Sequence, residues 1–122
     1  MLTNQTLPWG PTTYPGSITL GQVYLAETVA TMGFIFVILT QTNPKTQISK
    51  NPTVIAFLIP LGLYIFRETV EFTGAYLNPC IALTFGGVAN MIAPGQKMDN
   101  LYVYLLSGIS AGIFTPLIFQ AF

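Results

Sequence analysis

The sequence predicts an all-α integral membrane protein with three transmembrane helices and one re-entrant half-helix. Composition is the first reason: of 122 residues, 52% are hydrophobic and only 7% charged. A soluble domain carries about 25% charged residues, so this chain is suited to lipid. The second reason is length, because three apolar stretches approach the roughly 20 residues that cross a hydrocarbon core. The third is a fourth apolar run, after Asn78-Pro79, that is too short to cross.

Residues 1–19 read as an irregular N-terminal arm and residues 20–122 as a membrane domain. The arm, MLTNQTLPWGPTTYPGSIT, has three prolines and no charged side chain. It has neither the basic start and apolar core of a signal peptide nor the arginines of a mitochondrial presequence. Trp9 and Tyr14 suit a headgroup-level position, where amphipathic rings collect. Asn4-Gln5-Thr6 fits a glycosylation sequon, a triplet that is common by chance.

Leu20 to about Thr40 is the first predicted span. Glu27 lies inside it, with Thr31 one turn on and Gln22 and Thr28 also polar. A carboxylate at that depth is costly and normally faces a partner or a cavity. Two placements are open: a solvated Glu27 near the headgroups, about 10 Å along the helix from Leu20, or a buried acceptor for backbone N–H groups, which is the favoured reading. Gln41 to Pro52 is a polar loop carrying Lys45 and Lys50. Thr53 to Phe66 is purely apolar but short, so the second helix is expected to continue through Arg67, Glu68 and Glu71, with a kink near Pro60 and Gly62. Arg67 and Glu71 stand four apart, a spacing that permits pairing on a helix, and an ordinary membrane-boundary charge cluster explains them equally well.

The stretch Thr73 to Phe85, TGAYLNPCIALTF, breaks the pattern. Asn78 before Pro79 reads as a helix start: asparagine caps the first N–H groups, and proline fits the first helical position. The helix from Pro79 to about Met91 would be roughly 18–20 Å long, against a hydrocarbon core of about 30 Å. Irregular backbone leading into such a half-helix is allowed inside a membrane only where protein or a cavity covers it. Half-helix N-termini of this kind aim positive partial charge at a substrate. The alternative is an interfacial loop followed by a short surface helix. Ala93 to Asn100, with Lys97 and Asp99, is a turn-rich loop. Leu101 to Phe119 is the last span, with Tyr102 and Tyr104 at one interface and a bend at Pro116. Its Gly108-Ile109-Ser110-Ala111-Gly112 segment is a GxxxG face that lets another backbone approach.

Composition also excludes. Net charge is zero, which gives no handle for nucleic acid. Histidine is absent and Cys80 is the single cysteine, so an intrachain disulfide, a Cys/His metal site and a histidine triad are ruled out. No nucleophile–base pair or metal cluster marks an enzyme, and no cofactor is implied.

Taken in order, these residues resemble one repeat of the major intrinsic protein family, the aquaporins and glycerol channels. Ala26-Glu27 followed by Thr31 is similar to the family's AE-x-x-x-T start, with Ala30 where glycine is usual. Gly74-Ala75-Tyr76-Leu77-Asn78-Pro79 is similar to its SGAHLNPA loop, with Thr73 for serine and Tyr76 for histidine. Gly108 and Gly112 resemble the small-residue face of its third helix. The likeness covers about Leu25 to Phe119. Cys80 stands where alanine is usual, as in the family's unorthodox members. The family carries two such repeats in inverted orientation; here no further Asn-Pro follows Asn78-Pro79, and no arginine stands just after the motif.

The resemblance implies a pore in which two half-helices meet near the membrane centre, motif asparagines donate to water, and helix dipoles hold back protons and cations. By position, Asn78 would be the donor, Glu27 the support of the loop, and carbonyls around Thr73 to Leu77 a lining. One repeat supplies half of this wall, so the expected partners are membrane lipid and either a second copy in inverted orientation or other membrane subunits. Lys45 and Lys50 lie on one side of the membrane, Arg67 and Lys97 on the other, which leaves almost no orientation bias. Two functions are therefore expected: a passive channel for water or small neutral solutes formed by paired half-repeats, or a non-transporting subunit of a larger membrane complex that keeps a half-aquaporin fold.

Overall fold

Three helices are long and apolar enough to cross a membrane, and they pack through small residues and buried hydroxyls. The structure, a computed structural model, describes residues 18–92 and 100–121. Among them the chain is all-helical: α1 (Leu20–Thr42), α2 (Pro52–Thr69), a 3₁₀ turn (Glu71–Thr73), α3 (Pro79–Ile92) and α4 (Leu101–Gln120). The expectations for Trp9, Tyr14 and the Asn4-Gln5-Thr6 sequon, and for the loop carrying Lys97 and Asp99, fall outside the described residues.

The ends of α1 and α2 are set by local polar chemistry. Thr19 and Gln22 form a capping box at the start of α1, so Thr19 belongs to the helix cap. Asn51 caps α2, its Oδ1 accepting from the Thr53 N–H at 2.9 Å, and Pro52 takes the first helical position. The loop between them is stitched to α1 by buried Gln41, whose Oε1 accepts from the Ile48 N–H at 3.4 Å. α2 stops at Thr69, short of the expected continuation through Glu71. Val70 leaves helical geometry (φ −121°, ψ 25°) and its N–H tightens onto the Arg67 carbonyl. Arg67 and Glu71 therefore lose their shared helix face, and both are exposed. α2 and α4 both continue through their prolines, Pro60 and Pro116.

α1 is the hub. It runs antiparallel to α2, with two reciprocal contacts: a Cβ on Gly33 would lie 2.3 Å from the Phe66 ring, and one on Gly62 would lie 2.9 Å from Val37. It runs parallel to α4, where Tyr24 Oη and Ser110 Oγ are 2.7 Å apart and Phe36 meets Phe119 edge-on at 5.5 Å. α3 packs on α4 in the opposite direction: Pro79 sits on Gly108, and Ala82 packs with Val103 and Tyr104. Two expectations for α4 need correction or division. Tyr102 is half exposed, but Tyr104 is buried rather than interfacial, because it faces α3 and the loop. Gly108 admits the α3 backbone, whereas among the described residues nothing lies within 4 Å of a Cβ on exposed Gly112.

The interior is unusually polar, holding Glu27, Thr28, Thr31, Gln41, Thr73, Ser107 and Thr115, while Phe57, Tyr64, Met91 and Leu117 face outward. That distribution suits lipid, in which helices are joined by close packing and hydrogen bonds rather than by apolar burial. Replacing Gly108 by valine should lower stability by about 1–3 kcal/mol, as overpacking does. Gly112→Val should be close to neutral in the isolated chain. Denaturant unfolding in detergent measures both, and equal losses would contradict the assignment.

Candidate functional site

Between α2 and α3 the backbone takes three left-handed residues in four: Gly74 (φ 100°), Ala75 (φ 52°) and Leu77 (φ 51°). Glycine holds such a conformation freely, but alanine and leucine do so at a cost of about 1–3 kcal/mol each. The surrounding structure therefore has to dictate it. Thr73, fully buried at the head of this segment, is the node. Its hydroxyl donates to Glu27 Oε1 and also lies 2.7 Å from the Val70 carbonyl. Its carbonyl accepts from the Tyr104 hydroxyl, and its Oγ1 accepts from the Ala75 N–H at 3.4 Å.

Glu27 is 1% exposed, and each carboxylate oxygen has a donor: Thr73 at Oε1 and the Leu77 N–H, 3.1 Å away, at Oε2. Leu77 and Ala30 pack together beside it. The other polar residues of α1 do different work. Thr28 bonds back to the Tyr24 carbonyl at 2.6 Å, and Gln22 belongs to the cap. Thr31 is buried, and its hydroxyl has no partner among the described residues.

The chain emerges at Asn78. Its Oδ1 accepts from the Cys80 N–H at 2.8 Å and its carbonyl from the Ala82 N–H at 3.0 Å, so it caps α3 and leaves Nδ2 as a donor. Asn78 and Cys80 are exposed, while Pro79 is half-buried against Gly108. The site thus presents hydrogen-bond donors and the positive end of a helix, and among the described residues no group of three metal-ligating side chains. The Thr73 carbonyl, expected among the lining, is engaged by Tyr104 instead.

Sequence reasoning missed Tyr104 and the Tyr24–Ser110 bridge. The available signal was chemical: a tyrosine buried among apolar residues needs a partner for its hydroxyl. Comparison with known proteins finds no match to a family model, a curated protein or a solved structure.

Removing the carboxylate should orphan the buried Leu77 N–H and leave the Thr73 hydroxyl with the Val70 carbonyl alone. Glu27→Ala is expected to destabilise the fold by about 1–3 kcal/mol and to raise amide exchange at Leu77 more than in α2. An unfolding curve together with residue-level exchange checks this; unchanged exchange at Leu77 would contradict it.

Proposed function

We propose that this chain is half of an aquaporin-like channel wall. It passes water or small neutral solutes once a second half-repeat completes the face carrying Asn78. The observation that carries the reading is the seat of Pro79 against Gly108. Gly108 lies seven residues into α4, roughly 10 Å along its axis. With α4 across the bilayer, α3 begins well inside the membrane and runs back to the side it came from. Pro79–Ile92 is then a re-entrant half-helix.

The chemistry at that depth supports passage of neutral molecules. Asn78 Nδ2 and the first N–H groups of α3 can replace hydrogen bonds that a solute loses on leaving water, while the positive helix end disfavours cations. Lipid cannot cover such groups without large cost, so water or protein must. The balance of Lys45 and Lys50 against Arg67 and Lys97 permits a second copy in the opposite orientation as that cover, and equally suits a chain placed by a larger assembly.

A second reading is a non-transporting subunit of a larger membrane complex. It is favoured by α2, which buries little beyond Gly62 and exposes Phe57, Tyr64 and Ile65 for a foreign partner.

Purified chain in lipid vesicles separates the two. The channel reading expects water flux above that of protein-free vesicles. Asn78→Asp, which keeps the cap and loses the Nδ2 donors, should lower that flux about tenfold, the effect of one strong hydrogen bond. Flux at the protein-free level, with assembly disturbed by Asn78→Ala, would favour the accessory subunit.

A further inference from the structure

The segment 74–76 is pinned at both ends, and from different helices. At its far end α1 holds Leu77, through the N–H bonded to Glu27 Oε2 at 3.1 Å. At its near end α4 holds Thr73, whose carbonyl accepts from the Tyr104 hydroxyl, with both residues buried. The Thr73–Gly74 peptide is where the chain enters its left-handed course, at Gly74 with φ 100°. Fixing that carbonyl fixes the direction of everything up to Asn78. Glu27 cannot hold it, because a carboxylate has no donor for a carbonyl; its two oxygens take the Thr73 hydroxyl and the Leu77 N–H.

The Tyr104 ring is itself held in place. It meets the Tyr76 ring edge-on, with centroids 4.8 Å apart and planes at 81°. Four residues on, one helical turn, Gly108 seats Pro79. One face of α4 thus touches the loop before Asn78 and the helix after it.

We propose that Tyr104 is a positioning residue: by holding the Thr73 carbonyl, its hydroxyl sets where Asn78 presents its Nδ2 group. The functional meaning rests on Asn78 as a solute donor, but the positioning is measurable without any flux. Tyr104→Phe keeps the ring against Tyr76 and removes the hydroxyl that donates to the Thr73 carbonyl. Tyr24→Phe is the control, since it removes a hydroxyl from the same α1–α4 layer, at Ser110.

The test is amide exchange of the full chain in lipid nanodiscs, read at Thr73, Gly74, Ala75, Leu77 and Cys80, whose N–H groups all have acceptors. Tyr104→Phe should speed exchange there by about five- to tenfold, the loss of one buried hydrogen bond. The amides of α1 and α4 should match those of Tyr24→Phe. In Tyr24→Phe and in Thr73→Ser, which keeps both the carbonyl and a hydroxyl, residues 73–80 should exchange as in the wild type. No acceleration in Tyr104→Phe, or equal acceleration in Tyr24→Phe or Thr73→Ser, overturns the proposal. Wild-type vesicles without flux count against the channel reading alone, because the exchange result decides the positioning separately.

Discussion

A carboxylate inside a bundle of apolar helices has to be met by donors, and the fold is arranged around how Glu27 meets them. Its oxygens take the Thr73 hydroxyl and the Leu77 N–H. Leaving the Leu77 N–H buried and unpaired costs about 1–3 kcal/mol. This requirement draws the chain after α2 back onto α1 and sustains left-handed alanine and leucine residues that would not persist alone. The exposed Asn78 and the start of α3 follow as consequences, since the segment has nowhere else to go once both its ends are tied.

Close packing does the remaining work. Gly33 accepts Phe66, Gly62 accepts Val37 and Gly108 accepts Pro79, so the α1–α2 and α3–α4 contacts each have a glycine on one side. In lipid there is little to gain from burying apolar side chains, and near approach of backbones takes over. The same logic explains why hydroxyls recur inside: Tyr24 with Ser110 and Tyr104 with Thr73 join elements that apolar contact alone would let slide.

The three long helices were legible because length and composition dictate them; the observed ends differ from the expected ones by a few residues. α2 differs most, because the turn at Val70 depends on tertiary anchoring of Thr73 and not on any local breaker. Asn78-Pro79 was legible as a helix start, and the same dipeptide at Asn51-Pro52 does the same job at the end of a stretch whose polar composition reads as loop. The site was half legible. Glu27 stands out as a charge in an apolar run, but Tyr104 looks like any aromatic near a helix end. Its role depends on which face of α4 meets the loop, which apolar periodicity does not show when a helix is hydrophobic all round. Gly108 and Gly112 are indistinguishable in sequence, yet among the described residues Gly108 receives a neighbour and Gly112 does not.

Cys80 offers the most direct test of the central claim, that α3 begins inside the membrane at a water-accessible point. It is the only cysteine, it is exposed, and it stands two residues after Asn78. A spin label attached there in lipid vesicles reports depth and accessibility through its collisions with oxygen and with a water-soluble nickel chelate. The account predicts a label roughly 10 Å below the headgroups that still meets the chelate. A label at headgroup depth, or one reached by oxygen alone, would contradict it.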